Sequence, residues 1–408
     1  MIITAQKLLC THKHGPPLDR GAIVINRGSI LAAGHADAIL KKYPGHSIVR
    51  LANVALMPGL INSHTHLELP PLLDTIRSRT FSQWVLNLIK AKQKLDSSDY
   101  SITTQRNIRS LIMQGTTTVG EICTHDASPA FLKQSGLRAV IYKEIIVMDP
   151  LQDITSRLAS FLSRPSSLIR YGLSPHTPYT VSEHALHEIK TFSRQKGIPL
   201  SMHVAESRDE LRMLQRKKSG LSELYRMAGW SIDWAPSGSS SFEYLHRIGL
   251  LSPLLLAVHA VHITDKDIAA IKRSGVSIAH CPRSNSEINA GKMPLKKLLY
   301  AGIPVGLGTD SLASSPSLNM WDEMRYAHKV HCRDGITPQD IFMVATIGGA
   351  RALGLSADVG SIEPGQRADL IAVSLPEKDS GDIYSDLLRE TKSCIMTMVN
   401  GKVLHKQT

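Results

Sequence analysis

Residues 57–66 read Met57-Pro58-Gly59-Leu60-Ile61-Asn62-Ser63-His64-Thr65-His66, an apolar run that ends in two histidines two positions apart. Side chains two residues apart on an extended strand project to the same side, so both imidazoles can reach one ion. His12 and His14 have the same spacing but no other feature of a site beside them, and we interpret that pair as surface. His64 and His66 are therefore candidate metal ligands at the end of a strand.

Eight short β-like runs follow one another through the middle of the chain, and segments long enough for helices separate most of them. The runs are 55–61, 117–122, 139–146, 169–173, 199–203, 254–259, 276–280 and 304–308. Two of the intervening helices are expected at 182–195 and 265–274. Alternation of this kind predicts parallel strands with crossover helices. Eight units predict a (β/α)8 barrel, whose active site lies at the C-terminal ends of the strands.

Both ends of the chain are rich in short β-like runs, with strands expected at 22–25, 47–51, 369–373 and 395–399. Asn400-Gly401 follows the last of these and predicts a hairpin turn, because both residues tolerate positive φ. We therefore expect an α/β fold, a TIM-type barrel with a small β-sandwich domain built from both termini. The predicted bounds are 55–357 for the barrel and 1–54 plus 358–408 for the small domain.

Composition excludes several classes of function. The 408 residues are 42% hydrophobic and 20% charged, as in ordinary soluble globular proteins. The net charge of +12 is dispersed and aromatics are only 5%, so we expect no nucleic-acid partner. We also expect no signal peptide and no membrane span. The five cysteines are odd in number and scattered, which favours reduced thiols in a cytoplasmic protein.

Three further elements lie at or just past the end of a predicted strand: His203 with Glu206 three residues on, His259, and Asp310. Three of these four imidazoles and a carboxylate at strand ends predict a mononuclear site for one divalent ion, with room for water. Such an ion can lower the pKa of its water to about 7. Ligation without thiolates suits zinc or ferrous iron, and the sequence favours neither.

Each of these residues also has a plainer interpretation. Glu206 could serve as a general acid or base, or simply open a helix in solvent. Asp310 could cap a helix. We assign catalysis to His259 rather than His262 because His259 lies nearer its strand end. A carboxylated Lys143 could bridge two metals, but the residues after it are still strand-like, so it is expected to precede the catalytic rim.

Segment 207–250 is too long for one ordinary crossover. It contains Trp230, Trp234 and the small-residue run Ser237-Gly238-Ser239-Ser240-Ser241. Long loops on a barrel often form lids or binding loops. A lid and a plain surface insertion both remain open.

Taken together, these motifs resemble the amidohydrolase superfamily over nearly the whole chain, and most of all its branch of metal-dependent deaminases and chlorohydrolases. The matching pieces are 57–66, His203-Val204-Ala205-Glu206, His259-Ala260-Val261-His262, 280–285 and Gly308-Thr309-Asp310-Ser311. The resemblance implies that His64, His66, His203 and Asp310 bind the metal. It also implies that Glu206, His259 and Asp310 are catalytic. The thiolate-ligated zinc deaminases are excluded, because Cys281-Pro282 has no second cysteine at the required spacing.

Residues 66–68, 80–84 and 174–179 are most similar to the aminodeoxyfutalosine deaminases of menaquinone biosynthesis, and those around His176 also to the methylthioadenosine/S-adenosylhomocysteine deaminases. The implied reaction converts the 6-amino group of an adenine nucleoside-like small molecule to the 6-oxo form and releases ammonia. His176 and Glu68 would contact the substrate, and Arg283 its carboxylate. Hydrolysis of another bond, as in a triazine chlorohydrolase, and a non-catalytic scaffold are the rival functions. A homodimer is left open.

Overall fold

Two sheets organise the chain. The computed structural model describes residues 1–9, 16–149, 152–162, 165–227, 229–231, 236–375, 377 and 380–407. The strands among them are β1 (Ile2–Leu8), β2 (Leu18–Asn26), β3 (Ser29–His35), β4 (Ile48–Arg50), β5 (Val54–Pro58), β6 (Leu60–His66), β7 (Thr116–Cys123), β8 (Arg138–Ile145), β9 (Ile169–Pro175), β10 (Leu200–Val204), β11 (Leu255–His259), β12 (Ser277–His280), β13 (Val305–Leu307), β14 (Asp310–Ser311), β15 (Leu370–Ser374), β16 (Met396–Val399) and β17 (Lys402–Lys406). His12, His14 and Trp234 lie outside the described residues.

Helices fill most of the connections. They are α1 (Ala36–Lys42), α2 (Leu73–Ile76), α3 (Phe81–Lys92), α4 (Ser97–Met113), α5 (Ser128–Ser135), α6 (Thr155–Leu158), α7 (Glu183–Lys196), α8 (Arg208–Leu214), α9 (Gly220–Met227), α10 (Ser241–Arg247), α11 (Asp265–Ser274), α12 (Pro282–Glu287), α13 (Leu295–Tyr300), α14 (Met320–His331), α15 (Pro338–Met343), α16 (Gly349–Ala352) and α17 (Ile383–Glu390). Short 3-10 turns occupy Ala159–Phe161 and Cys332–Asp334, and a π turn occupies Val344–Gly348. The two helices expected at 182–195 and 265–274 are α7 and α11. Across the described ranges, no helix is both long and apolar enough to cross a membrane.

The larger sheet is a closed parallel barrel. Strands β6 to β13 are neighbours in chain order, and β14 pairs with β6. We treat β13 and β14 as two halves of one strand, because β13 pairs with β12 while β14 pairs with β6 through Asp310 and Thr65. Asn62 bridges the interruption: its Nδ2 donates to Thr309 Oγ1 at 2.7 Å, and its Oδ1 accepts from Thr309 N at 3.1 Å. The predicted (β/α)8 fold is confirmed.

The first predicted barrel strand, 55–61, was wrong in its bounds. Gly59 divides this run, so that β5 joins the terminal sheet and β6 is the first barrel strand. A Cβ at Gly59 would lie 2.1 Å from Thr117 Oγ1, so only glycine allows the crossing between sheets. Strand β5 also spans the position between residues 54 and 55 where the domain boundary was placed. The other seven predicted strands overlap β7 to β13.

The smaller sheet is mixed and is built from both termini. Its order is β17-β16-β15-β5-β1-β2-β3, with β4 beside β1. Apolar residues from the two halves, among them Ile23, Leu56, Leu370 and Met398, form one buried cluster, so the sheet bends around its own core. The hairpin at Asn400-Gly401 has φ values of 50° and 76°, as predicted. The small β domain is thereby confirmed as a product of both termini.

Candidate metal centre

Four predicted ligands come together at the C-terminal rim of the barrel. His64 and His66 lie on β6, His203 on β10 and Asp310 on β14. One ligand atom from each lies within 4.8 Å of all the others. Asp310 Oδ1 is 3.6 Å from His64 Nε2 and 3.5 Å from His66 Nε2. The barrel thus joins residues that are up to 246 positions apart in sequence, since 310 minus 64 is 246.

The protonation states of these groups suit a cation. Burial lowers the pKa of His64 to about 4 and that of His66 to about 3, so both imidazoles are neutral near pH 7 and keep a lone pair. Burial alone would raise the pKa of Asp310, but the hydrogen-bonding contact with His64 and the electrostatic influence of the neighbouring His66 and His259 hold it well below its usual value. The cluster is a set of neutral nitrogens around one carboxylate, which fits zinc or ferrous iron.

Neighbouring backbone and side-chain groups orient two of the ligands. His203 Nδ1 donates to the carbonyl oxygen of His176 at 3.0 Å, which leaves the lone pair on Nε2, 3.3 Å from His64 Nε2. Asp310 Oδ2 accepts from Ser284 Oγ at 2.6 Å and from Ser314 Oγ at 2.8 Å. Its Oδ1 is left facing the histidines. Such outer hydrogen bonds fix the tautomer and direction of a metal ligand.

His259, at the end of β11, lies beside the ligands. Its Nδ1 donates to Asn285 Oδ1 at 2.8 Å, and its buried Nε2 makes no hydrogen bond within the described part of the chain. Burial lowers the pKa of His259 to about 4. His259 and Asp310 have φ values of 73° and 56°, a left-handed conformation that is costly for these residues and concentrates at functional sites.

Glu206 faces His259 from the end of the adjacent strand. Its backbone N–H donates to Glu210 at 2.8 Å, as does that of Ala205, so Glu210 holds the turn after β10. Burial, followed by the charges of Asp310 and Glu210, raises the pKa of Glu206 well above its usual value. A carboxyl group whose pKa is raised in this way suits the role of general acid and base. It is buried, not a solvated helix opener.

Two alternatives from the sequence lie elsewhere. His262 Nε2 donates to the carbonyl oxygen of Ala290 at 2.8 Å, outside the ligand cluster. Lys143 Nζ pairs with Asp126 Oδ1 at 2.6 Å. Its cation is satisfied there, so a carboxylated Lys143 between two metals receives no support from its surroundings.

A cavity of about 220 Å³ is lined at its floor by three of the four ligands, His66, His203 and Asp310, together with Glu206 and His259. Helices α3 and α9 roof it and contact each other. The roof side chains are Phe81, Trp84, Val85, Leu88, Ile89 and Lys92 of α3, and Leu221, Leu224 and Tyr225 of α9. Segment 207–250 therefore supplies cavity wall through α9, whereas Phe242 and Leu245 of α10 join the main core. Its movement as a lid stays a prediction.

Of the three predicted substrate contacts, only His176 lines this cavity. Burial lowers its pKa to about 3, and its Nδ1 lies 2.9 Å from Thr180 Oγ1. Besides facing the cavity, His176 orients His203 through its carbonyl oxygen.

The assignment of Glu68 to substrate binding is corrected by its contacts. Its carboxylate is buried and accepts four backbone N–H bonds, at 2.6 to 3.0 Å, from residues 124, 125, 127 and 128. Both oxygens are thereby engaged by the turn after β7. Glu68 shapes the barrel rim and does not line the cavity.

Arg283, predicted to contact the substrate carboxylate, also has other partners. Its guanidinium donates to Ser317 Oγ at 2.9 Å and lies 3.8 Å from Asp322 Oδ2. Its backbone N–H donates to Glu323 at 2.9 Å. The positive charge already has a partner, and Arg283 is absent from the cavity wall.

Three residues of the site escaped the sequence reasoning. Asn285 lies in the quoted segment 280–285 but received no role. Glu144 is the last residue but one of β8 and lines the cavity. Burial would raise its pKa, but His176, His66 and Lys92 bring it down to about 2. The position of Glu144 near a strand end was the available signal. Lys92 had none, because a lysine in the last turn of a helix is ordinary.

A sequence model of the amidohydrolase family matches residues 55–404. The chain therefore belongs to the amidohydrolase family, and it is an enzyme that hydrolyses carbon–nitrogen bonds. It is 31% identical to a 5-methylthioadenosine/S-adenosylhomocysteine deaminase of Pelotomaculum thermopropionicum, over 94% of this chain and 88% of the relative.

Solved structures share the architecture. A Helicobacter pylori aminofutalosine deaminase complexed with methylthio-coformycin superposes with a TM-score of 0.90 at 23% identity, covering 98% of this chain and 99% of that one. An adenosine deaminase from Xanthomonas campestris with bound zinc has a TM-score of 0.83 at 25% identity, covering 98% and 92%.

Proposed function

We propose that the protein is a hydrolytic deaminase that converts the 6-amino group of an adenine nucleoside to the 6-oxo form and releases ammonia. The observation that carries the proposal is the placement of Glu206 and His259 on the floor of one cavity, beside a cluster of four convergent ligand atoms. A purine ring that reaches the cavity floor would lie next to both a proton carrier and the metal centre. The 31% identical relative, named as a deaminase of two adenosine derivatives, supports this substrate class.

His64, His66, His203 and Asp310 would hold one divalent ion, zinc or ferrous iron, which when bound lowers the pKa of a coordinated water to about 7. Glu206 takes the proton of the attacking water and delivers it to the ring nitrogen next to C6. His259 accepts a hydrogen bond from that water through Nε2, because its Nδ1 is committed to Asn285. Asp310 assists proton transfer to the departing ammonia, while Ser284 and Ser314 keep its second oxygen fixed.

Within this class we propose aminodeoxyfutalosine as the preferred substrate, and hence a role in menaquinone biosynthesis in the cytoplasm. The free thiols of Cys123, Cys281, Cys332 and Cys394 suit a reducing compartment. Methylthioadenosine and S-adenosylhomocysteine form the second candidate pair, favoured by the 31% identical relative. All of these share the adenine that the catalytic floor would receive.

Ammonia release measured side by side on four nucleosides tests the proposal. Aminodeoxyfutalosine, methylthioadenosine, S-adenosylhomocysteine and adenosine are offered to the zinc-loaded and iron-loaded protein at equal concentration. We expect aminodeoxyfutalosine to have the highest kcat/KM. A higher value for methylthioadenosine or S-adenosylhomocysteine selects the second candidate. No turnover of any nucleoside removes the deaminase proposal.

A further inference from the structure

The mouth of the cavity combines exposed apolar side chains with one cation. Ile89, Ile146 and Trp230 line the cavity and are 38%, 53% and 40% exposed. Large apolar side chains left in solvent around a pocket indicate a binding surface. Lys92 lines the same cavity, and it is the only lysine or arginine among the described residues that does so. The entrance thus presents an apolar wall and a positive charge.

Lys92 makes no direct contact with a counterion in the described parts of the chain, although its charge contributes to the lowered pKa of Glu144. It is the last residue of α3 and is partly buried, yet it makes no ion pair or hydrogen bond with any described group. The nearby Lys143, by contrast, is paired with Asp126. The donors of its ammonium group therefore remain available to an anionic ligand.

A purely structural role for Lys92 would be to complement the negative C-terminus of α3. Lys90 lies in the same last turn and is exposed, so it serves the helix equally well without lining the cavity. Helix stability therefore does not require that Lys92 in particular face the cavity, and Lys90 provides a matched control.

Glu144 is a carboxylate on the same cavity wall, and its contacts are with groups other than Lys92. Its Oε2 accepts from Thr124 Oγ1 at 2.8 Å, and it lies close enough to His66 and His176 to be influenced by both. It forms no ion pair with Lys92 within the described residues. The same cavity wall therefore carries one carboxylate that accepts from Thr124 and one lysine that no described carboxylate contacts directly.

We propose that Lys92 determines specificity by binding a carboxylate carried on an apolar 5′ substituent of the nucleoside, while Ile89, Ile146 and Trp230 cover the apolar part. The inference rests on the proposed function, which holds the adenine on the cavity floor. The 5′ position lies at the opposite end of a nucleoside and so extends towards the mouth. Lys92 takes the role that the sequence assigned to Arg283, whose charge is already paired.

The test compares aminodeoxyfutalosine, which carries a carboxylate, with methylthioadenosine, which does not. Lys92→Met keeps the length of the side chain and removes its charge. We expect the ratio of kcat/KM for the two substrates to fall by about 10- to 100-fold, the usual effect of losing a hydrogen bond to a charged group. The loss should appear in KM for aminodeoxyfutalosine rather than in kcat. Lys92→Arg should recover most of the ratio, and Lys90→Met should match the wild type.

An unchanged ratio in Lys92→Met, or an equal loss in Lys90→Met, overturns the proposal. Calorimetric binding of the same two nucleosides separates this result from a failure of the deaminase assignment. If the wild-type protein binds aminodeoxyfutalosine more tightly than methylthioadenosine but releases no ammonia, the proposed reaction is contradicted. The role of Lys92 is then decided by whether Lys92→Met loses this difference in binding. A wild-type protein that binds both equally, or neither, contradicts the role of Lys92.

Discussion

Glu206 Oε1 lies 3.4 Å from His259 Nε2, and the two side chains come from the ends of adjacent parallel strands. Both are buried. The opposite nitrogen of His259 is committed to Asn285, and the turn that carries Glu206 is held by Glu210. The pair therefore presents one proton carrier and one hydrogen-bond acceptor at a fixed separation, next to the four metal ligands.

Glu206→Gln should lower kcat by about 100- to 10,000-fold, because the amide keeps the shape of the side chain but cannot carry the proton. Metal content should stay at the wild-type level, since Glu206 is not one of the four convergent ligands. Steady-state ammonia release and elemental analysis measure both quantities. Glu183→Gln, at an exposed carboxylate on α7, is the control. Wild-type turnover by Glu206→Gln would falsify its role.

Asn285→Ala should reduce kcat by about 10- to 100-fold, the usual effect of removing a group that orients an active-site histidine. The substitution removes the acceptor for His259 Nδ1, so the tautomer and direction of the ring are no longer fixed. Asn285→Asp keeps an acceptor oxygen and should lose less. Equal rates for Asn285→Ala and wild type would show that His259 needs no such support.

Glu68→Ala should destabilise the protein, by roughly 2–4 kcal/mol, because it leaves buried backbone donors without an acceptor. Urea unfolding measures the loss. The KM of the remaining folded enzyme should stay close to that of the wild type, since the carboxylate is engaged by the turn after β7. A raised KM at unchanged stability would restore the substrate contact expected from sequence.

Glu323 should make the free energy of unfolding depend on pH, in a direction that its burial determines. Burial raises its pKa from 4.5 to about 8, against the opposing effect of Arg283. Between these values the unfolded chain has released this proton and the folded chain has kept it, so the carboxyl makes folding less favourable as pH rises. Below pH 4.5 both states are protonated and the effect vanishes.

Glu323→Gln should therefore stabilise the protein relative to wild type at pH 8 to 9, and the advantage should disappear towards pH 4.5. The expected difference is on the order of a few kcal/mol. Urea unfolding of both proteins at several pH values isolates this one carboxyl. A difference that is constant with pH would mean that Glu323 is ionised in the folded state throughout.

The ligand positions could be predicted because each lies in a short motif next to an apolar run. Once the runs are strands of one barrel, His64, His203 and Asp310 must reach the same rim. The division of 55–61 at Gly59 was not visible, since both halves are equally apolar and only the close approach to Thr117 separates them.

Roles that depend on distant partners were beyond sequence reasoning. Glu68 and Arg283 carry the right charges for substrate binding, but the folded chain supplies them with other partners, the backbone of residues 124–128 and Asp322. Lys90 and Lys92 are both lysines in the last turn of α3, so the sequence does not distinguish them. Only the orientation of α3 over the barrel brings Lys92, and not Lys90, to the cavity. The domain bounds and a homodimer stay predictions.

The most direct test of the account is to identify the reaction products formed in H₂¹⁸O. Zinc-loaded protein is incubated with aminodeoxyfutalosine, and the nucleoside product and ammonia are quantified by mass spectrometry and a coupled assay. The account predicts a 6-oxo nucleoside carrying one ¹⁸O at C6, with one ammonia released per molecule converted. Free adenine from cleavage of the glycosidic bond, or an unchanged nucleoside, would contradict it.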